Sequence, residues 1–165
     1  VLEKNTFPKK KMIEIDFHKK LKSEEIELKD YIFSSVKKCF DTLKKNQEDY
    51  YVSIFLTNND DIKKLNNKFR QINKPTNVLS FVQDKKFCLG RSKEVILLGD
   101  IVISLEKIKS EAKYLGKKFS DHFMHMCIHG LLHLFGYNHK KESEAKIMQE
   151  KEISILKQLS IPSPY

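Results

Sequence analysis

At 165 residues, with 40% of them hydrophobic, the chain is long enough to bury one proper core and too apolar to be disordered. Its 31 Lys and Arg outnumber 22 Asp and Glu, a formal net charge of +9 that suits a polyanionic partner, nucleic acid above all. Cys39, Cys88 and Cys127 are odd in number and far apart, which argues against a disulfide framework or a C-x2-C metal site and fits reduced thiols in a cytoplasm. No stretch is apolar for long enough to span a membrane, and the N-terminus lacks a signal peptide's apolar core, so a cytoplasmic protein is expected.

Met12 to Phe17 alternates and predicts a first strand. Ser23 with Glu24 and Glu25 predicts a capped helix to about Leu43, with Ile26, Tyr31, Ile32, Phe33, Val36 and Phe40 as its apolar face. Tyr51 to Leu56 is a second strand. Asn58 or Asn59 caps a helix from Asp60 to about Phe69. A Lys74-Pro75 turn leads into a third strand, Asn77 to Val82, and Lys85 to Lys93 reads as a polar loop. Val95 to Ser104 is apolar enough for a strand buried on both faces. A helix follows, ended by Gly116, and Ser120-Asp121 is expected to cap a helix apolar nearly all round and therefore central. Glu142 to Leu159 closes the pattern as an amphipathic helix. The layout predicts one domain over residues 1–165, of α/β (α+β) class. Its sheet is mixed and four-stranded, flanked by helices, with a buried central helix.

That central helix carries the chemistry. His129, His133 and His139 stand in an H-x3-H-x5-H pattern. Residues four apart share one helix face, which pairs His129 with His133. Gly136 accepts the left-handed turn that ends a helix, so His139 can swing back to the same point. Two ligands from a helix and one from the turn beyond it leave a fourth position open, as a catalytic zinc needs. One zinc per chain is expected. His125 and His122 lie one and two turns upstream. His125 and His133 are eight residues apart, roughly 12 Å along a helix, too far to grip one ion together. His122 and His125 are therefore expected to support the ligands or line the cleft.

The run from His129 to His139 resembles the YbeY family of bacterial endoribonucleases, whose signature reads H-G-x-L-H-L-x-G-Y-D-H. Asn138 departs from it, standing where the family usually has aspartate and removing a charge near the metal. Asn66 to Arg70 with Lys74-Pro75-Thr76-Asn77-Val78-Leu79-Ser80-Phe81 is similar to the family's R-x(n)-K-P-T-[DN]-V-L-S-F block, with Val82 where proline is common. Leu98 to Ser104 resembles its L-G-D-I-x-I-S strand. The resemblance runs in order from about residue 50 to about 155. It implies an α/β sandwich with the metal helix in its core. The implied activity is single-strand-specific, in maturation of the small-subunit (16S) rRNA precursor and ribosome quality control. It further implies the small subunit and its associated proteins as partners.

The residues support nuclease chemistry independently. Three neutral imidazoles on zinc bring its water's pKa to roughly 7. An H-E-x-x-H peptidase helix needs glutamate after the first histidine, and here that position is Gly130. Arg70 is one of two arginines in a lysine-rich chain, and a guanidinium grips phosphate through two parallel hydrogen bonds. We therefore expect His129, His133, His139 and Arg70 to be catalytic, and Arg70, Lys68, Lys74 and Lys140 to contact RNA, with Lys141 a further contact. Ser80 is expected to be structural, as no base is placed beside it. The alternatives are a zinc hydrolase of another class, peptidase or amidase, and a non-catalytic ribosome-assembly factor with a structural metal.

Overall fold

The computed structural model describes residues 12–18, 25–89 and 93–165. Its elements are β1 (Ile13–Phe17), α1 (Glu25–Thr42), β2 (Tyr50–Thr57), α2 (Asn59–Arg70), β3 (Val78–Leu89), β4 (Lys93–Ser104), α3 (Leu105–Leu115), α4 (Phe119–Leu134) and α5 (Glu142–Gln158). A single 3-10 turn, Gln47–Asp49, precedes β2. The expected cap at Ser23 lies outside the described residues.

The strands form one sheet in the order β1-β2-β4-β3, parallel except for the antiparallel β3–β4 pair. This is the mixed four-stranded α/β domain that the element order predicts. Alternation along the strands splits the core in two. Ile54, Leu56, Ile101 and Ile103 join the large cluster with α1, α3, α4 and α5, whereas Leu79 and Val102 pack with Ile62 of α2 in a smaller one. Helix α4 is the centre of the larger layer, with Phe123, Cys127, Ile128, Leu131 and Leu132 inaccessible to solvent. Helix α1 turns Leu28, Ile32, Val36 and Phe40 inward, while Phe33, expected on that face, is 45% exposed. Burial pushes the Cys39 thiol up to about 12 and raises that of Cys127 as well, so neither ionises near neutral pH.

Two further local expectations change. Most of the stretch expected as a loop, Lys85 to Lys93, is strand: Lys85 pairs with Leu97, Lys86 with Ile96 and Phe87 with Val95. The β3–β4 hairpin lies at the sheet edge, where solvated backbone tolerates lysine, and Lys86 meets Glu94 across it at 2.8 Å. Polar composition therefore disguises an edge strand. The N-cap of α4 is Lys118, without a side-chain cap bond, not Ser120 or Asp121. Ser120 instead bonds Asp121 at 3.3 Å inside the first turn, where the aspartate faces the positive end of the helix dipole.

The edge strand also fixes α4 in place. Ser80 Oγ donates to the Gly130 carbonyl at 3.0 Å, and a Cβ on Gly130 would sit 3.0 Å from Ile101 Cγ2 and 3.2 Å from Ser80 Oγ and Val78 Cγ2. A glycine lets the helix approach β3 and β4 this closely without displacing those neighbours.

Candidate metal centre and cleft

His129 and His133 project from the last turns of α4, and the end of that helix brings the third histidine back. Tyr137 N donates to Leu132 O and Gly136 N to His133 O, both at 3.0 Å. This is the Schellman pairing, and it needs a residue with positive φ, supplied by Gly136 at +89°. Three residues on, His139 lies over His129 with ring planes 30° apart and centroids 5.4 Å apart, and 4.9 Å from the ring of His133. The three histidines each offer one ligand nitrogen, and these nitrogens lie within 4.8 Å of one another. Three donors at 2.0–2.1 Å from one tetrahedral ion sit about 3.4 Å apart, so the cluster matches a metal's dimensions.

The outer hydrogen bonds fix which nitrogens face inward. His129 Nδ1 lies 2.7 Å from Glu152 Oε1, and His133 Nδ1 lies 3.0 Å from Tyr137 O. Both partners are acceptors, so both Nδ1 atoms carry the proton. The two Nε2 lone pairs are then aimed at each other across 3.0 Å. Two ring nitrogens this close are bridged either by one shared proton or by a metal ion. The donor set and its outer partners, a carboxylate and a carbonyl, fit a metal held by imidazoles.

The protonation states agree with that reading. Burial, followed by the neighbouring imidazoles of His129 and His139, lowers the pKa of His133 to about 4, so it is neutral and ready to bind near pH 7. Burial alone would raise the Glu152 carboxyl. The nearby His125 imidazole at 3.5 Å, with hydrogen bonds from His129 and Tyr165, outweighs it and holds Glu152 ionised, well below the usual carboxylate range.

Glu152 is the residue that sequence reasoning missed. It is 1% exposed and sits on α5 in the same stripe as Met148, Ile155 and Leu156. A glutamate at an apolar position of an amphipathic helix was its only signal. His125 Nε2 lies 3.5 Å from the same Oε1, so this histidine supports His129 through a shared carboxylate. His122 instead bonds Glu111 Oε2 at 2.9 Å, and that oxygen also accepts from Asn77 Nδ2 at 3.1 Å. Both histidines border a separate cavity of about 350 Å³ that includes Pro162 and Pro164 in its walls.

The three histidines open into a cleft of about 630 Å³ whose walls include Arg70, Asn77, Ser80, Val82, Asn138 and Lys140. Arg70 is the last residue of α2. Gln71 beyond it is left-handed at φ 60°, and Asn66 Nδ2 binds Lys74 O at 2.8 Å, tying the following loop to the helix. The structure thus brings Arg70 and Lys140 to one cleft with the histidines. Lys68 and Lys74 are exposed and are not among the residues lining it, and the Lys68 ammonium lies 5.3 Å from the Phe69 ring centre. Asn138, at the family's aspartate position, lines the cleft as well. A side chain at Gly130 would crowd Ile101, Ser80 and Val78 from its Cβ outward, and Glu152 is committed to His129 from behind.

Comparison with known proteins gives the same answer. A relative from Francisella tularensis named Endoribonuclease YbeY is 44% identical over 114 residues, covering 69% of this chain and 70% of the relative. One of the same name from Dichelobacter nodosus is 46% identical over 127 residues, covering 77% and 79%. A solution structure of a Thermotoga maritima protein superposes with a TM-score of 0.55 at 27% identity, over 93% of this chain and 95% of that one. The family model described as Endoribonuclease YbeY matches residues 14–160, which take in both walls of the cleft, and the chain belongs to that family of RNA-cleaving enzymes.

Proposed function

We propose that this endoribonuclease is zinc-dependent and single-strand-specific, and that it acts in the maturation of small-subunit (16S) rRNA and in ribosome quality control in the cytoplasm. Its expected partners are the small subunit and the proteins associated with it. The observation carrying the metal assignment is the pair of inward-facing Nε2 lone pairs, 3.0 Å apart, with both Nδ1 atoms on acceptors. His129, His133 and His139 would hold one zinc, with a fourth position left for water or substrate. Bound there, zinc would supply Lewis acidity and a water acidic enough to ionise near neutral pH.

The chain's own groups provide the rest. Arg70 presents a fork of parallel donors to a phosphate, which both binds the strand and orients the scissile group. Lys140, four residues after Gly136, adds a second cation on the same cleft. Lys68 and Lys74 act as outlying contacts for the strand beyond the cleft. Ser80 holds α4 rather than attacking substrate, since its hydroxyl proton is given to Gly130 O. Among the described residues no helix is long and apolar enough to cross a membrane.

The test compares labelled single-stranded RNA, duplex RNA, DNA and an unfolded protein, each with wild type and His129→Ala. Cleavage of single-stranded RNA by wild type alone is the expected result. Proteolysis with RNA untouched would establish the peptidase reading instead, and equal cleavage by both proteins would mean a contaminating nuclease. Zinc analysis of protein purified without chelator should give about one ion per chain.

A further inference from the structure

Glu152 has two oxygens, and only one of them serves His129. Oε1 takes His129 Nδ1 at 2.7 Å, with His125 Nε2 at 3.5 Å. Oε2 accepts a hydrogen bond from the hydroxyl of Tyr165. Tyr165 comes from the segment that follows α5. That segment is pinned independently: Ile161 N bonds Leu156 O at 3.0 Å and Lys117 Nζ bonds Pro164 O at 3.0 Å. The tyrosine ring stands edge-on to His125, with centroids 6.0 Å apart. The segment therefore folds back across α4 and places a phenol on the far side of the carboxylate from the metal centre.

We propose that Tyr165 is a positioning residue for the metal, acting through Glu152 on His129. The physical reason is the geometry of a desolvated carboxylate. At 1% exposure, Glu152 has no water to satisfy a bare oxygen. Without the phenol, the carboxylate rotates to share its one remaining hydrogen-bond donor, His129, and the His125 ring at 3.5 Å between two oxygens. Each rotation takes Oε1 out of line with His129 Nδ1. The imidazole then loses the partner that fixes its tautomer and keeps its Nε2 lone pair on the metal. The tyrosine is itself 61% exposed, so its hydroxyl is removable without opening the core.

This inference rests on the zinc reading above, and its test separates the two. Zinc affinity is measured by chelator competition for wild type, Tyr165→Phe and Glu152→Gln, alongside the visible spectrum of each protein loaded with cobalt(II). The melting temperature of each is taken without metal. Glu152→Gln should weaken zinc binding about 10- to 100-fold, the usual effect of losing a partner to a ligand histidine. Tyr165→Phe keeps the ring against His125 and removes only the hydroxyl. It should weaken zinc about 3- to 10-fold, a smaller part of that effect, and alter the cobalt spectrum, with at most a small drop in the metal-free melting temperature from the lost hydrogen bond. A purely structural role for Tyr165 would instead lower the melting temperature and leave affinity and spectrum alone, which overturns the proposal. So would a Tyr165→Phe protein indistinguishable from wild type in all three measurements. Wild type that takes up neither zinc nor cobalt would overturn the zinc reading and this inference together.

Discussion

The hydroxyl of Ser80 and the carbonyl of Gly130, 3.0 Å apart, join the edge strand of the sheet to the helix that carries the metal ligands. The bond is made at the residue directly after His129. It gives one physical cause for two features of the sequence, the glycine inside a helix and the serine in an apolar strand. A helical glycine costs about 0.5–1 kcal/mol relative to alanine, and here that cost is offset by close contact of α4 with Val78, Ser80 and Ile101.

Gly130→Glu, which recreates the peptidase pattern, should therefore give a damaged nuclease and no peptidase. The Cβ already sits at 3.0–3.2 Å from three neighbours, and the carboxylate would have to be buried or push α4 off the sheet. Overpacking costs about 1–3 kcal/mol and an unpaired buried charge adds more. Urea unfolding should show a loss of at least about 3 kcal/mol. Wild-type stability in this variant would mean that the contact is not tight.

Arg70→Lys should keep the fold and the metal and reduce cleavage of single-stranded RNA by about tenfold or more. Arg70 is the last residue of α2 and reaches the cleft with its side chain, so little packing depends on it. Lysine keeps the charge but loses the two-pronged phosphate contact, a difference of about 1–2 kcal/mol. Single-turnover rates at saturating RNA would read the effect, and unchanged rates would reduce Arg70 to an ordinary cation.

The pKa of His133 predicts a pH dependence of the metal-free protein. Its value falls from an ordinary 6.5 to about 4, because burial and then the His129 and His139 imidazoles disfavour its charged form. Between these two pH values the unfolded chain takes up a proton that the native state refuses. Stability is therefore fullest above about pH 6.5 and is lost as pH falls toward about 4. Urea midpoints at pH 7, 6 and 5, taken with chelator present, should decline, and His133→Asn should decline less. Readings are kept above pH 4.5, the ordinary value for Glu152, whose lowered pKa gives stability that is present above that point and is lost below it.

The sequence exposes the parts of this site that are close along the chain. His129, His133, Gly136 and His139 fall within eleven residues, and their meeting follows from helix periodicity and one glycine turn. Glu152 is 23 residues beyond His129, and nothing local predicts that α5 will cross α4 there. Tyr165 is more remote still, since its role exists only once the segment after α5 folds back. Arg70 is legible through its rarity and the block beside it, but Lys68 and Lys74 share that block and stay outside the cleft lining. Closeness in sequence does not settle which side of a helix end or loop a long side chain takes. The β3–β4 hairpin was hidden for a different reason: an edge strand facing water does not need the apolar alternation by which strands are recognised.

Salt dependence should count the lysines that touch RNA. Each phosphate neutralised on a single strand contributes about −0.7 to the slope of log affinity against log salt. Arg70 and Lys140 line the cleft with the histidines, and two contacts predict a slope of about −1.4. If Lys68 and Lys74 also bind the strand, four contacts predict about −2.8. Binding is measured with His129→Ala, in which the RNA stays intact while its cationic contacts are retained. Replacing Lys140 with Ala should make the slope shallower by about 0.7, and the Lys68→Ala, Lys74→Ala pair by about 1.4 if both lie on the strand's path. A slope unmoved by Lys140→Ala would remove that residue from the interface despite its place in the cleft. A slope unmoved by the Lys68 and Lys74 pair would confine recognition to the groups beside the metal centre. The strand would then lie between Arg70 and Lys140 without running on past Lys68 and Lys74.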